Sequence, residues 1–508
     1  VGDVRPSPDF SHYFFSSGNV AMAPGGLTGA GGSAYDNDVA KGTVAIVSKL
    51  PGGGDIPHEP TNNSSDFLKL PAASTDGSHI LIAAQATGPC GAAVCPGQNF
   101  PDVCGHGTTE WTDCPGLLPS HLYMRVNDAV TYDVSKGYDV RYEGMSADGS
   151  KVYFTSAAQV TGDDHDHSID LFVWSEETDS VTRVSVGSGG VGDTDACTAS
   201  WIAKCGVQVV SGDSGHPSSG TFSNITDNSI AAASGDIYFY SPEQFDGSNG
   251  IPGHRNLYVY RGGQIHYVAA LDASRPITRI QVSPDGAHAA FVTPSRLTAY
   301  DNAGFDEMYS FDPAEGAIIC VSCLPNGEPP TADVKASKNG IFMSDDGRTF
   351  FATEDALVAQ DTDSSSDVYE YVSGRAQLIT SGTGISARNE ATGEEFDPQS
   401  LIGVSADGVD VYFVTKDTLV SQDHNGAFVK LYDARISGGF AAAPAPAPCA
   451  AADECHGPGS TLPPPSSAAS VANLGSGGNV AHSGGKKHRH KKHGSKRHRK
   501  HHSTHRRG

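Results

Sequence analysis

The residues best suited to chemistry are acidic and come in short, recurring phrases. Asp163-Asp164-His165-Asp166-His167-Ser168-Ile169-Asp170 runs into Leu171-Phe172, and Asp361-Thr362-Asp363-Ser364-Ser365-Ser366-Asp367 runs into Val368-Tyr369. Asp301-Asn302 with Asp306, and Asp423 with Asn425, are shorter versions. Hard oxygen donors on alternate residues of a loop suit Ca²⁺. Asp163, Asp166 and Asp170, and Asp361, Asp363 and Asp367, are therefore candidate calcium ligands, and calcium is the one candidate cofactor. The loops are not EF-hands, since the turn glycine and the closing glutamate are absent. The competing reading is structural: Asp and Asn shape such loops by accepting bonds from backbone N–H groups.

Ten cysteines form a second set. Cys90, Cys95, Cys104 and Cys114 lie close together, as do Cys197 with Cys205, Cys320 with Cys323, and Cys449 with Cys455. Cys320-x-x-Cys323 has zinc-ligand spacing, but no second pair is placed to close a tetrahedral site. A redox Cys-x-x-Cys opens a helix, whereas this one ends a strand-like run. Local disulfides in an oxidising, extracellular setting are the reading that fits an even count among Gly, Pro and Asp.

Gly212-Asp213-Ser214-Gly215 looks like the nucleophile turn of chymotrypsin-type serine proteases. No histidine or aspartate motif accompanies it, so it reads as a Gly/Ser loop. Asn62, Asn63 and Asn224 stand in glycosylation sequons. No catalytic residue is assigned.

Charge divides the chain. Its formal net charge is −24, yet residues 486–508 hold eleven Lys or Arg and no acid, leaving 23 basic against 58 acidic residues before them. An acidic body repels nucleic acid and anionic membranes. Attraction to polyanions belongs to Lys486, Lys487, Arg489, Lys491, Lys492, Lys496, Arg497, Arg499, Lys500, Arg506 and Arg507, with seven histidines interleaved. An anionic cell-wall polymer is one expected partner, and nucleic acid would bind there only non-specifically. No apolar run reaches the length of a membrane span. The chain opens on Val1 without a leader-like segment, which suggests processing or a fragment.

The elements that position these residues repeat. Ser283-Pro284-Asp285-Gly286 leads into an apolar run ending Phe291-Val292, then a loop, then Met308-Tyr309-Ser310-Phe311 and Ile318-Ile319-Cys320. The phrase returns at Ser344 and Ser405, 61 residues apart each time, and earlier at Ser74 and Ser146. Ser7-Pro8-Asp9 opens a degraded first copy, and Ile237–Tyr240 with Leu257–Tyr260 marks a fourth copy that lacks the phrase. A fixed period of this kind signals a repeat architecture. Pro and Gly preset the turn, and the β-branched and aromatic runs fit pleated strands. Four such strands cannot bury both faces alone; stacking the units radially does so. The fold predicted is all-β, a single seven-bladed β-propeller over residues 1–437, closed by a strand from near the N-terminus, with a six-bladed ring as the alternative. Residues 438–485 read as a Pro/Ala/Gly/Ser-rich disordered linker and 486–508 as a Lys/Arg/His-rich disordered tail.

The Ser-x-Asp-Gly turn, its apolar-aromatic strand and the Asp-[Leu/Val]-[Tyr/Phe] strand resemble the WD-like propeller repeats of the TolB family. They are also similar to the N-terminal propellers of tricorn and dipeptidyl-peptidase proteins, over about residues 7–436. Large secreted actinobacterial propellers with Pro-rich, basic C-termini look similar too. The TolB resemblance implies a periplasmic or extracellular setting and a binding or scaffolding role. TolB's separate α/β domain and the peptidases' hydrolase domain have no counterpart in this sequence. The function expected is a secreted or cell-surface, non-catalytic scaffold for a protein or glycan, held to the wall by the tail. The alternative is a secreted lyase or hydrolase with its site in the central channel.

Overall fold

The computed structural model describes most of residues 2–439; the longest stretches outside the described residues are 57–67, 86–119, 211–228, 389–394 and 440–508. Among the described residues the chain is all-β, with one short 3-10 turn at Ser188–Gly190. Seven antiparallel sheets follow one another, each a simple meander. Five have four strands: Gly2–Pro6 to Thr43–Ile46, Leu68–Ala73 to Val130–Asp133, Arg141–Met145 to Ser180–Arg183, Gln208–Val209 to Gln264–Leu271, and Arg279–Val282 to Ala317–Cys320. The sixth, Thr349–Thr353 to Arg375–Leu378, and the seventh, Ser400–Val404 to Lys430–Arg435, have three. In the sixth, bridges from Met343 to Thr349 and from Lys335 to Ala352 stand where a first strand would run. Ala387–Arg388 and Glu395–Phe396 make a separate two-stranded ribbon.

Both faces of the inner sheets are covered, which is why their strands read as continuous apolar runs rather than alternating ones. Ala289–Thr293 is buried at every position. Successive side chains serve two interfaces: Ile237 and Phe239 pack toward the third sheet, Tyr238 and Tyr240 toward the fifth. Phe14 and Leu70 join sheets one and two, and Met124, Phe154 and Trp174 join two and three. Met308, Phe351 and Phe413 belong to one cluster running through sheets five to seven. First strands of neighbouring sheets lie close, as Gly2–Pro6 does to Leu68–Ala73 and that strand to Arg141–Met145. Sheets stacked face to face and converging on their first strands form a β-propeller.

The recurring turn phrase has a mechanical role. Ser7, Ser74, Ser146, Ser283 and Ser405 each donate a hydroxyl bond to the aspartate two residues on, at 2.6–2.7 Å. Each serine oxygen also accepts the N–H five residues on, at 2.9–3.0 Å. The turns then bond to one another across sheets: Asp9 N–H to Thr75 O (3.3 Å), Thr75 N–H to Ala147 O (2.7 Å), Ala147 N–H to Ala232 O (2.8 Å), Ala233 N–H to Pro284 O (2.7 Å) and Asp345 N–H to Ala406 O (2.7 Å). The glycine of the phrase adopts φ of +71° at Gly77 and +78° at Gly149, a region costly for other residues. It also leaves room for a side chain from the preceding sheet, since a Cβ on Gly149 would lie 2.4 Å from His79 Cβ.

The expected closure differs. Gly2–Pro6 pairs with His12–Ser17 as the first strand of the first sheet and does not complete the seventh. The seventh sheet keeps one packed face, through Val404, Val411 and Phe413, while Leu431 on the other remains 64% exposed. The register of the strand at residues 2–6 explains the difference: its partner lies across the adjacent tight turn, where loop closure costs least.

Candidate metal centre

The acidic phrases form the loops that lead into Asp170–Ser175, Glu307–Asp312, Asp367–Val372 and Lys430–Arg435, in the third, fifth, sixth and seventh sheets. In the sixth sheet Asp361 Oδ1 accepts the Asp363 N–H (3.4 Å) and Asp363 Oδ1 accepts the Ser365 N–H (2.6 Å). These Asx turns coil the segment on itself. Asp367, the first residue of strand Asp367–Val372, accepts the Thr380 hydroxyl and the Gly382 N–H (3.2 Å) through Oδ1. The Tyr369 hydroxyl donates to Asp361 Oδ2, anchoring the loop over the stacked pair Phe351–Tyr369. One oxygen from each of Asp361, Asp363 and Asp367 lies within 4.8 Å of the others. Oδ2 of Asp363 and of Asp367 is buried without a hydrogen-bond partner. Burial pushes the Asp367 carboxyl up to about 6, offset in part by the Thr380 bond and reinforced by the charge of Asp361.

The third sheet repeats the arrangement with Asp164, Asp166 and Asp170, whose oxygens also lie within 4.8 Å of one another. Asp166 Oδ1 accepts the Ser168 N–H (2.8 Å), and Ser185 Oγ donates to Asp170 at 2.5 Å. Oδ2 of Asp166 and of Asp170 makes no hydrogen bond. Burial raises Asp164 to about 6 and Asp170 to about 8. Here a basic residue is present: Arg183 Nη1 stands 3.6 Å from Asp170, 3.8 Å from Asp164 and 3.2 Å from Asp193. The ligand set expected from sequence is corrected at one position. Asp163 is exposed and faces Arg183 Nε at 3.6 Å, and Asp164 takes its place beside Asp166 and Asp170. Counting back from the aromatic residue finds it, because Asp164 precedes Phe172 by the same interval as Asp361 precedes Tyr369.

Other sheets satisfy the equivalent loop differently. In the seventh, the position of Asp367 is held by Lys430, whose ammonium donates to Lys416 O (2.7 Å) and Gly426 O (2.6 Å) and pairs with Asp423 (3.2 Å). The Tyr432 hydroxyl, first among several partners, holds the Asp423 carboxyl down at about 2. In the fourth sheet Asn256 bonds both ways to Ile251, at 2.8 and 2.9 Å. In the fifth Glu307 is buried under the Ser322 hydroxyl, and burial lifts its carboxyl to about 7. Asp301 accepts the Ala303 N–H (3.1 Å), and Asn302 bonds the carbonyls of Pro294 and Phe305. Asp306 donates its N–H to Asp333 (2.9 Å).

Among the described residues two disulfides are formed, Cys197–Cys205 and Cys320–Cys323, so neither pair offers thiolates to zinc. Cys90, Cys95, Cys104, Cys114, Cys449 and Cys455 lie outside the described residues, as do Gly212–Gly215, the three sequons and the whole basic tail. A feature not apparent from the sequence is the charge on the first strands. Arg141 Nε stands 3.4 Å from Glu143 on Arg141–Met145, and Thr155 donates to Glu143 at 2.6 Å. Arg5 reaches the Pro71 carbonyl of the next sheet. Gln281 bonds the backbone of Phe342 and Met343 at 2.7–3.0 Å.

No family model and no curated relative matches the chain. Solved structures do resemble it. Porphyromonas gingivalis dipeptidyl peptidase 4 is 15% identical over 86% of this chain and 52% of its own, with a TM-score of 0.44. An oligogalacturonate lyase from Vibrio parahaemolyticus is 11% identical over 85% of this chain and 88% of its own (TM-score 0.32). TolB from Acinetobacter baumannii is 12% identical over 73% and 64% (TM-score 0.26). The chain thus spans about half the length of the dipeptidyl peptidase. The expectation of a non-catalytic scaffold is corrected here: the solved structures that resemble the chain include a peptidase and a lyase, which are enzymes. No helix among the described residues is long and apolar enough to cross a membrane.

Proposed function

We propose that this chain is an extracellular β-propeller enzyme, a lyase or hydrolase, whose reaction site lies on the first strands of its sheets. The observation that carries the reading is the pair Arg141 and Glu143, 3.4 Å apart on a first strand, with Thr155 bonded to the same carboxylate. A positioned carboxylate can take or give a proton, and an adjacent guanidinium can hold a substrate anion or a developing oxyanion. Arg5 and Arg279 lie on other first strands, which favours an anionic substrate. The finer architecture belongs to the same reading. Seven sheets make one TolB-like ring over residues 1–437, followed by a linker at 438–485 and a basic segment at 486–508. The two disulfides fit an oxidising compartment. The basic segment supplies attraction to a polyanionic surface.

The test is a turnover screen of the full chain on anionic and neutral polysaccharides, esters and peptides in millimolar Ca²⁺. Turnover of one class is expected, lost in Glu143→Gln with the melting temperature unchanged. No turnover of any class, or turnover indifferent to Glu143→Gln, overturns the reading.

A further inference from the structure

We propose that two loops of the propeller each bind one Ca²⁺, the sixth-sheet loop through Asp361, Asp363 and Asp367 and the third-sheet loop through Asp164, Asp166 and Asp170. The donors are all hard oxygens, which select Ca²⁺ over the softer transition metals. Ca²⁺ stands about 2.3–2.6 Å from its oxygens, so two ligands of one ion are at most about 5 Å apart. Three carboxylates with oxygens inside 4.8 Å meet that limit in both loops.

Clustered acids alone do not make a site, and turn N–H groups and hydroxyls already hold one oxygen each of Asp363, Asp367, Asp166 and Asp170 and both oxygens of Asp361. The other oxygens carry the inference. Asp367 is fully buried and Asp166 is 7% exposed, and Oδ2 of each has no hydrogen-bond partner, whereas Oδ2 of Asp170 faces Arg183 Nη1 at 3.6 Å. A buried carboxylate oxygen left without a donor costs several kcal/mol, and native structures satisfy such atoms with protein, water or an ion. In the sixth loop the hydroxyls of Thr380 and Tyr369 are committed to Asp367 Oδ1 and Asp361 Oδ2, and that of Ser365 to the Gly384 carbonyl.

The seventh sheet supplies an internal control. At the position of Asp367 it carries Lys430, and the ammonium sits among two carbonyls and the Asp423 carboxylate. The fold therefore accepts a positive charge in this loop, covalently supplied in one sheet and taken from solution in the two sheets that have three carboxylates. Arg183 neutralises part of the third-sheet cluster, so the sixth-sheet loop binds more tightly. None of this depends on the enzyme reading.

The experiment is equilibrium dialysis of the full chain against Ca²⁺ in excess Mg²⁺, with melting curves before and after chelator. Two retained equivalents are expected, one lost in Asp363→Asn and the other in Asp166→Asn, with a chelator-induced fall in melting temperature that the double variant no longer shows. Both substitutions keep shape and hydrogen-bonding capacity, and near-native circular dichroism of each variant excludes misfolding as the cause of lost binding. One equivalent, lost only in Asp363→Asn, keeps the sixth-sheet site and overturns the third. No retained Ca²⁺, or retention unchanged in the double variant, overturns both.

Discussion

Lys430 Nζ lies 3.2 Å from the Asp423 carboxylate, inside a loop whose counterpart in the sixth sheet brings three aspartates together. The same backbone device is thus balanced by a side chain in one repeat and left acidic in another. Removing the internal cation strands a buried carboxylate. Lys430→Met should lower the denaturation midpoint of the full chain, and added Ca²⁺ should not restore it, because this loop lacks the other carboxylates. Denaturant melts with and without Ca²⁺ check both halves.

Phe291 is fully buried between the fourth and fifth sheets and stacks on Tyr309, 6.1 Å between ring centroids. Phe291→Ala should cost about 3–5 kcal/mol, as for other large core aromatics. A loss below about 1 kcal/mol in urea melts would contradict this packing.

The turn glycines separate backbone strain from crowding. Gly42 has φ +64° with nothing within 4 Å of a Cβ, whereas Gly149 has φ +78° and His79 only 2.4 Å away. Gly42→Ala should cost about 1 kcal/mol from the backbone alone. Gly149→Ala should cost about 2–3 kcal/mol, because His79 must also move from the neighbouring sheet. Paired chemical melts of the two variants give the comparison.

Glu307 gives a pH dependence whose sign follows from its burial. Its carboxyl rises from 4.5 to about 7, through desolvation first, with the Ser322 bond opposing and Asp355, Asp306 and Asp333 reinforcing. The folded state then holds a proton that the unfolded chain has lost, so stability falls as pH rises from about 4.5 to about 7. The penalty, fully present above that window, is about 3 kcal/mol. Glu307→Gln should flatten the profile by that amount between pH 5 and 8 in denaturant melts, while keeping an acceptor for Ser322.

The basic segment should bind anionic polymer with an affinity that falls steeply as salt rises, because binding releases condensed counterions. Full-length protein and a form lacking residues 486–508 should differ in retention on an anionic wall polymer at low salt and converge at high salt. Equal retention at low salt would show that the segment plays no part.

The all-β class, the repeat and the places of the turns were legible in the residue order. Each rests on local chemistry: proline and glycine set a turn, Ser and Asp bond to its backbone, and aromatic runs fit pleated strands. The phrase at Ser283 and its copies therefore located most second strands directly, and the candidate Asp361, Asp363 and Asp367 lie together as their spacing suggested. Long-range packing decided the rest. Whether Asp163 or Asp164 faces inward depends on Arg183 and Asp193, which come from later strands and loops of the same sheet. That Lys430 takes the position of Asp367 and is held there by the Lys416 and Gly426 carbonyls and Asp423 shows only in the folded loop. The closing strand was misplaced because hydrophobic pattern marks a strand without naming its partner. Pairing is chosen by the low entropy cost of the nearby turn, and Gly2–Pro6 accordingly meets His12–Ser17.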